Sequence, residues 1–374
     1  MPPLKVAIVG AGPAGLYLAY LLKRKRADAD VRVYEAGPAD ATWGFGVVFS
    51  EQALEFLAGD DPETVASITP HMETWRDITM FHRGERVVID GIGFSAIGRL
   101  ALLQHLQARA ASVGVVPVFE RAIESLDELG NVDLIVGADG LNSIVRRTHE
   151  TRFGTSLAYL TNRFAWYGTS QVFSTLSHTF VQERDDVFNV HHYRFSPTMS
   201  TFLVETDAAT FERRGFANMD EPASRRELER LFADTLQGHP LVNNRSIWRQ
   251  FPWLKNERWH VDNCVLVGDA LHTAHFSIGS GTRLALEDVI ALMDALERFE
   301  YDVARALPAY QLARQPALEK LVAASHRSAD WYEQFGTHLR LAPKEFAMSY
   351  ITRSGRIAPE RLRAMSPRFA ALFD

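Results

Sequence analysis

Apolar residues form two kinds of run along this chain, and each kind predicts a different element. Short uninterrupted runs, such as those at 6–9 and 265–267, are typical of strands buried in a parallel sheet. The segments 16–22 and 284–296 have the helical spacing of apolar positions, and beyond residue 300 the chain is mostly helical in pattern. Between 165 and 206, runs of β-branched and aromatic residues bounded by Asp, Ser, Pro or Gly predict further strands. The pattern therefore indicates an α/β protein with a β-rich insertion.

A glycine-rich turn lies between the first strand and the first helix. Gly10, Gly12 and Gly15 have GxGxxG spacing, and the strand before them and the helix after them are the context that a dinucleotide-binding turn requires. The first glycine permits a tight turn, the second lets a pyrophosphate approach, and the third lets helix pack on strand. Glu35 ends a second strand pattern, where a carboxylate can accept hydrogen bonds from ribose hydroxyls. This unit is predicted to bind a dinucleotide.

Two more strand-to-turn segments carry an acid beside a glycine. Asp139 and Gly140 follow a buried strand in 132–147, and Gly268 and Asp269 follow another in 265–296. In a doubly wound sheet, the carboxyl ends of the strands lie along one crevice. We therefore expect the three turns to line one ligand site.

Composition and charge exclude several classes of partner. Hydrophobic residues make up 47% and charged residues 23% of the 374 residues, and the net charge of −6 indicates neither nucleic acid nor an anionic membrane as partner. The single cysteine, Cys264, permits no intramolecular disulfide, and no targeting or membrane-spanning pattern is found, so we expect a cytoplasmic protein. The histidine pairs 191–192 and 272/275 lack a coherent set of carboxylates, so we predict no metal site.

The three motifs, in this order and spacing, resemble those of the single-component flavoprotein aromatic hydroxylases, the para-hydroxybenzoate hydroxylase-like group. The blocks WGFGVVFSEQAL (43–54), AWYGTSQVF (165–173) and SYITRSGRIAPERLRAMSPRF (349–369) look like those of salicylyl-CoA 5-hydroxylases and of the hydroxylase part of 2-aminobenzoyl-CoA monooxygenase/reductase. The tryptophan-derivative hydroxylase of violacein synthesis shares WYGTSQ and HFSIG. The chain departs from the broader group at Ser277 and Thr282, where a proline and an asparagine are usual, so the geometry beside the flavin stays open.

The resemblance implies a tightly bound, non-covalent FAD and suggests which residues contact it. Asp269 would reach the ribityl or ribose region, and Arg99 the pyrophosphate or ribityl region. The loop 43–48 would lie beside the isoalloxazine ring, and the helix that starts within 277–282 would direct its N–H groups at the pyrimidine edge, where charge builds on reduced flavin. The expected contacts are Gly10, Gly12, Ala14, Gly15, Glu35, Ala36, Phe45, Gly46, Val47, Arg99, Asp139, Gly140, Gly268, Asp269, Ser277, Gly279, Gly281 and Thr282.

We expect an α/β fold in which a Rossmann-type FAD-binding domain carries an inserted β-sheet substrate domain and a helical C-terminal region. The FAD-binding domain would comprise 1–70, 95–155 and 255–300, the substrate domain 71–94 and 156–254, and the C-terminal region 301–374. Within the insert, 221–236 is predicted to be an amphipathic helix with Ser224 as its N-cap. Glu205 is expected to be a surface or turn acid.

The implied reaction is hydroxylation of an activated aromatic ring through a C4a-hydroperoxyflavin, with NADH or NADPH as transient reductant and O2 as oxidant. We expect an aryl-CoA thioester, salicyl-CoA in particular, to be converted to gentisyl-CoA by a monomer or homodimer. Three alternatives remain: a hydroxylase of a free indole or phenol, a non-oxygenating flavin reductase or oxidase, and a flavin-binding module without activity.

Three residues are candidates for the catalytic, substrate-facing side of the site. His275 either takes or orients a phenolic proton or bonds the backbone of a tight turn. His192 and Tyr193 end a strand pattern, in which alternation directs one of the two toward the pocket.

Overall fold

The structure, a computed structural model, describes residues 3–374, apart from the side chains of Gln52 and Pro359. Residues 1–2 of the first predicted domain range lie outside the described residues. The strands of the described chain are β1 (Lys5–Val9), β2 (Asp30–Tyr34), β3 (Gly46–Ser50), β4 (Glu73–Trp75), β5 (Ile78–His82), β6 (Glu85–Ile89), β7 (Phe94–Gly98), β8 (Leu134–Gly137), β9 (Thr155–Tyr159), β10 (Arg163–Thr169), β11 (Leu176–Glu183), β12 (Asp186–Ser196), β13 (Met199–Thr206), β14 (Leu241–Val242), β15 (Pro252–Asn256), β16 (His260–Val261) and β17 (Cys264–Leu266).

The helices follow the expected distribution, with the longest ones in the last third of the chain. They are α1 (Pro13–Lys25), α2 (Glu51–Asp60), α3 (Pro62–Ile68), α4 (Arg99–Ser112), α5 (Ile144–Thr148), α6 (Glu150–Phe153), α7 (Ala208–Arg213), α8 (Glu221–Leu231), α9 (Ala233–Leu236), α10 (Gly281–Arg298), α11 (Val303–Glu333), α12 (Phe335–His338), α13 (Pro343–Thr352), α14 (Pro359–Met365) and α15 (Pro367–Ala370).

The first sheet is the Rossmann-type layer. Its strand order is β16-β17-β8-β1-β2, and β17, β8, β1 and β2 run parallel. The strands are apolar on both faces because helices α1, α4 and α10 cover them in one large hydrophobic cluster. The carboxyl ends of β1, β8 and β17 therefore bring the three predicted turns to one edge.

The second sheet is formed by seven strands in the order β14-β10-β13-β12-β11-β5-β6, and all its pairs except β11–β5 are antiparallel. One face packs against α7, α8 and α9 in a cluster that includes Tyr167, Phe202 and Phe232. The other face meets α11 and the C-terminal helices in a cluster that includes Phe180, Trp331 and Phe346. Two small sheets, β3-β7-β4 and β15-β9, connect the two layers along the chain.

Helix α8 begins at Glu221, where the predicted helix 221–236 begins, but its N-cap is not the residue that the sequence suggested. Asp220 is the N-cap residue, and its carboxylate accepts a hydrogen bond from Ala223 N (2.8 Å). The prediction of Ser224 as N-cap is wrong, because Ser224 lies inside the first turn and its Oγ accepts a hydrogen bond from Trp248 Nε1 (2.8 Å). In the described part of the chain, no helix is both long and apolar enough to cross a bilayer.

Candidate functional site

The first glycines build a turn in which the backbone of three segments meets. Gly10 has φ +102°, and a Cβ there would overlap the carbonyl group of Ala138. A Cβ on Gly15 would overlap the carbonyl oxygen of Gly10, so this glycine permits the close approach of α1 to β1. Gly12 is the N-cap of α1, where a Cβ would lie 4.0 Å from Ala138 O, and no side chain caps the helix. The first N–H groups of α1 are therefore free to bind an anion.

Glu35 follows β2, and its carboxylate is oriented by the backbone. Oε2 accepts a hydrogen bond from Ala11 N (2.9 Å) and Oε1 accepts one from Gly37 N (2.8 Å), while the side chain stays half-buried and Ala36 is exposed. The carboxylate thus lies beside the start of α1, and its remaining lone pairs can accept hydrogen bonds from ribose hydroxyls.

Asp139 and Gly140 form the turn after β8. Asp139 Oδ2 accepts a hydrogen bond from Ile144 N (2.6 Å), whereas the buried Oδ1 has no partner among the described residues. Burial raises the pKa of Asp139, and a hydrogen bond from Ser143 opposes this shift. Arg146 Nη1 donates to Ala270 O (3.0 Å), which ties this turn to the one after β17.

Gly268 and Asp269 lie where α1 and α10 approach each other. A Cβ on Gly268 would lie 3.2 Å from the Cβ of Ala285 and 3.6 Å from that of Ala14. Asp269 is exposed, yet burial by the surrounding protein raises its pKa, against the positive charge of Arg99. Arg99 is half-buried, and burial lowers the pKa of its guanidinium group.

The start of α10 leaves the same kind of opening as the start of α1. The N-cap Ser280 makes no side-chain cap, and no acidic residue occupies the first turn. A Cβ on Gly281 would meet nothing within 4 Å, and Gly279, with φ +58°, lies beside Val48. Thr282 follows in the first turn and is half-buried. Two uncapped long helices, the accessible Asp269 and the orphaned Asp139 Oδ1 fit the phosphates, ribityl chain and ring edge of an FAD molecule.

The loop before β3 is fixed against the seven-stranded sheet. Gly46 N donates to Thr201 Oγ1 (2.9 Å), and Gly46 O accepts from the hydroxyl group of Tyr193 (2.8 Å). Phe45 packs on Gly168, and its carbonyl accepts a hydrogen bond from Arg99 N (2.7 Å). The next residue, Val47, is buried in β3. This loop therefore joins the predicted flavin site to one face of the sheet.

Of the candidates on β12, Tyr193 faces this loop and His192 faces the opposite side. His192 Nε2 bonds Thr179 Oγ1 (2.9 Å) and packs between Phe173 and Phe202, and burial lowers its pKa to about 3. The neighbouring His191 shares the face of Tyr193, with its ring 5.5 Å from that of Phe276. Alternation along a strand predicted that one residue of each neighbouring pair faces the pocket. Which of the two does so depends on how the strand pairs with its neighbours.

His275 is buried in the turn before α10. Its Nδ1 bonds Ser277 Oγ (2.8 Å), and its backbone N–H donates to Ser325 Oγ (2.7 Å). Burial, followed by the positive charge of Arg353, lowers its pKa to about 3. At neutral pH the imidazole is therefore uncharged and a weak base, and its contacts fix the turn. Arg353 Nη2 donates to Ser277 O (2.7 Å), so the C-terminal region also fixes this turn.

Glu205 is not the surface acid that the sequence suggested. It is 1% exposed at the end of β13 and pairs in register with Asn189 of β12. Its Oε1 accepts a hydrogen bond from Asn162 Nδ2 (2.8 Å), and its Oε2 has no partner among the described residues. Burial raises the pKa of this carboxyl group to about 8. The expectation failed because the end of α11 reaches this strand end: Asn162, the partner of Glu205, also donates to Tyr332 O (2.9 Å). Nothing local in the sequence indicates that contact.

Sequence reasoning also missed the residue that anchors the turn after β17. Asp288 of α10 accepts hydrogen bonds from Gly268 N (3.1 Å) and from Arg314 Nε (3.0 Å), and it lies 2.8 Å from His272 Nε2. Burial alone would raise the pKa of Asp288, but His272 and Arg314 hold it below its usual value. An acid within an apolar helix face is the signal that could have identified it. Among the described residues, no group of three or more His, Cys, Asp or Glu could hold a metal ion.

Comparisons with known proteins agree with this geometry. A family profile described as "FAD binding domain" matches residues 127–325, and one described as "NAD(P)-binding Rossmann-like domain" matches residues 8–42. The chain is 39% identical to a salicyloyl-CoA 5-hydroxylase from a Streptomyces species, over 94% of this chain and 70% of the relative. It is 35% identical to the 3-hydroxy-4-methyl-anthranilyl-[aryl-carrier protein] 5-monooxygenase of Streptosporangium sibiricum, over 95% of both chains. It is 32% identical to the protodeoxyviolaceinate monooxygenase of Chromobacterium violaceum, over 95% and 96%.

Solved structures show the same fold. The crystal structure of Pseudomonas aeruginosa PqsL in complex with 2-aminobenzoylacetate matches with a TM-score of 0.70 at 22% identity, covering 88% of this chain and 96% of that one. The sequence relatives span nearly the whole chain, and the matching FAD-binding domain contains two of the three turns described above. The chain therefore belongs to the FAD-dependent aromatic monooxygenases, the flavoprotein hydroxylases that carry this FAD-binding domain.

Proposed function

We propose that this enzyme hydroxylates an aromatic acyl group carried as a CoA thioester, with salicyl-CoA as substrate and gentisyl-CoA as product. The observation that carries the proposal is the 39% identity to a salicyloyl-CoA 5-hydroxylase over 94% of this chain. The aryl-carrier-protein monooxygenase supports it, because its name also describes an aromatic acid attached to a carrier.

Residues of the turns at this edge of the sheet would each hold a different part of the cofactor. The glycine turn and the start of α1 bind the pyrophosphate, Glu35 the adenosine ribose, and Asp269 and Arg99 the ribityl region. The start of α10 directs its N–H groups at the flavin ring edge, where negative charge is stabilised. FAD bound there supplies reduction by NADH or NADPH and activation of O2.

The aromatic ring of the substrate would lie next to the loop at 44–46, on the sheet face that carries Tyr193 and His191. Both side chains are buried there, and His191 Nε2 has no partner among the described residues. It can therefore bond a ring substituent such as a hydroxyl or amino group. We assign Tyr193 to positioning of the loop and His275 to positioning of the turn before α10. His192 makes no direct contact with the ring, because it lies on the other face.

The enclosed site serves to exclude water. Burial lowers the pKa of His191 and of His275, so neither brings a positive charge to the ring at neutral pH. Neutral imidazoles and the aromatic side chains around them suit an aromatic ring and keep bulk solvent from the reacting atoms.

The test is consumption of NADH and of NADPH by the FAD-loaded enzyme, with salicylate, salicyl-CoA and 2-aminobenzoyl-CoA supplied separately and product masses recorded. We expect a thioester to accelerate oxidation of the reduced nucleotide and to gain one oxygen atom. Acceleration by free salicylate alone would refute the thioester proposal.

A second candidate is a free indole or phenol, which the 32% identity to a protodeoxyviolaceinate monooxygenase favours. The same assay with indoles and phenols separates the two candidates. A non-oxygenating reductase would oxidise NADH with no change in the mass of the aromatic compound.

A further inference from the structure

The indole ring of Trp166 lies on the same sheet face as His191 and Tyr193. Trp166 of β10 pairs in register with Leu203 of β13, and Leu203 pairs with His191 of β12. Residues that pair across neighbouring strands project from the same face of a sheet, so Trp166 and His191 flank Leu203. The buried Nε1 of Trp166 has no partner among the described residues. The substrate face thus carries an indole N–H donor in addition to the free nitrogen of His191.

The loop at 44–46 lies directly against this indole ring. A Cβ on Gly44 would lie 2.8 Å from both Cε3 and Cζ3 of Trp166, so the six-membered part of the ring packs on the backbone of this glycine. Phe45 packs on Gly168, two residues further along β10. Trp166 is therefore next to the loop that we expect beside the flavin ring.

A second loop fixes both partners of this contact. Asn244 Nδ2 donates to Gly44 O (2.8 Å) and to Thr42 O (3.0 Å). Ser246 Oγ donates to the backbone carbonyl group of Trp166 (2.5 Å). These hydrogen bonds hold the loop and the strand in place and leave Nε1, on the five-membered part of the indole ring, available to a ligand.

The chemistry of this donor limits what can bind it. An indole N–H donates one hydrogen bond and accepts none, so its partner is an acceptor atom. A buried donor without a partner is unfavourable, and a ligand that supplies the acceptor gains affinity. The acyl group of the proposed substrate has a carbonyl oxygen, which only accepts. His191 can donate or accept according to its tautomer, so it suits a hydroxyl or amino group on the ring.

We propose that Trp166 is a substrate-binding residue whose Nε1–H donates a hydrogen bond to the carbonyl oxygen of an aromatic acyl group. With His191 bonded to the ring substituent, the two side chains would hold the two polar groups of a substituted benzoyl ring and fix its orientation on the sheet. Trp166 would thus favour aromatic acyl compounds over phenols and indoles that lack the carbonyl group. The inference rests on the proposed function, because the carbonyl group belongs to the proposed thioester.

The experiment compares two ligands that differ only at this carbonyl group. Salicyl-CoA carries it, and S-(2-hydroxybenzyl)-CoA has CH2 in its place but keeps the ring, the hydroxyl group and the CoA part. Binding of each ligand to the oxidised, FAD-loaded enzyme is measured by calorimetry, so the readout needs no turnover.

The test variant is Trp166→Phe, which keeps an aromatic ring against Gly44 and removes the N–H donor. Trp248→Phe is the matched control. Trp248 packs on the opposite face of the sheet, where its Nε1 donates to Ser224 Oγ (2.8 Å). The same change is therefore made at a site that does not face the substrate.

We expect the wild type and Trp248→Phe to bind the thioester about tenfold more tightly than the thioether, the order of one hydrogen bond to a buried donor. In Trp166→Phe this preference should disappear. No preference in the wild type, or a preference that Trp166→Phe retains, overturns the inference. An equal loss of affinity for both ligands also overturns it, because a purely structural role of the ring would give that result. Failure of the proposed function is distinguishable, since the wild type would then bind neither ligand, and the inference would fall with it.

Discussion

At the scale of single residues, Glu205 gives the chain a pH-dependent stability. Burial raises the pKa of its carboxyl group from 4.5 to about 8. Between these values the unfolded chain releases a proton that the folded protein keeps, so the free energy of unfolding decreases as pH rises. The slope from this group is about 1.4 kcal/mol per pH unit in the middle of the window.

The variant Glu205→Gln removes this titration and keeps an oxygen that can accept the hydrogen bond from Asn162. We expect its melting temperature to exceed that of the wild type at pH 8 and to match it more closely near pH 5. Thermal unfolding from pH 5 to 8.5 measures the difference, with the exposed Glu212→Gln as control. Parallel curves for Glu205→Gln and the wild type would show that Glu205 is ionised in the folded protein.

At the scale of elements, the glycines of the two helix starts differ in what surrounds them. A Cβ on Gly10 would overlap backbone atoms of Ala138, and the φ of +102° disfavours any side chain. A Cβ on Gly281 would enter open space at the first position of α10. Gly10 is thus required by the fold itself. Gly281 is required only by a ligand that occupies the space beside the start of α10.

We therefore expect Gly10→Ala to destabilise the apoprotein, because backbone must move. Gly281→Ala should leave the melting temperature of the apoprotein unchanged or slightly higher, since alanine favours helix, and should weaken FAD binding. Melting of the apoproteins and fluorescence titration with FAD separate the two effects. Equal FAD affinity of Gly281→Ala and the wild type would place the cofactor away from the start of α10.

The elements differ in how far their roles could be predicted from sequence. The glycine turn and Glu35 could be predicted because the strand, the glycines, the helix and the acid all lie within the first 35 residues. Their spacing along the chain is enough to identify a dinucleotide-binding turn. The partners of Asp288 and the contact beside Glu205 depend on α11, a helix far away along the chain. The side that His192 faces depends on the phase of strand pairing, which one sequence leaves undetermined.

At the scale of the whole molecule, α11 joins the two layers. Its Leu318 belongs to the hydrophobic cluster of the FAD-binding layer, and its Trp331 and Tyr332 belong to the cluster on the seven-stranded sheet. Arg314 of the same helix binds Asp288 below the cofactor site, and Ser325 binds the backbone of His275. One continuous helix thus carries contacts from the cofactor site to the substrate face.

This continuity predicts that the two layers unfold together and that FAD stabilises both. A ligand that binds only the folded state adds about 2.7 kcal/mol of stability at a free concentration a hundred times its dissociation constant. Because α11 packs into both clusters, we expect one thermal transition that moves as a whole to higher temperature when FAD is added. Calorimetry of the apoprotein, with and without FAD, measures it, and tryptophan fluorescence follows both layers together, through Trp259 in the first cluster and Trp331 in the second. Two transitions, of which only one responds to FAD, would show that α11 does not couple the layers.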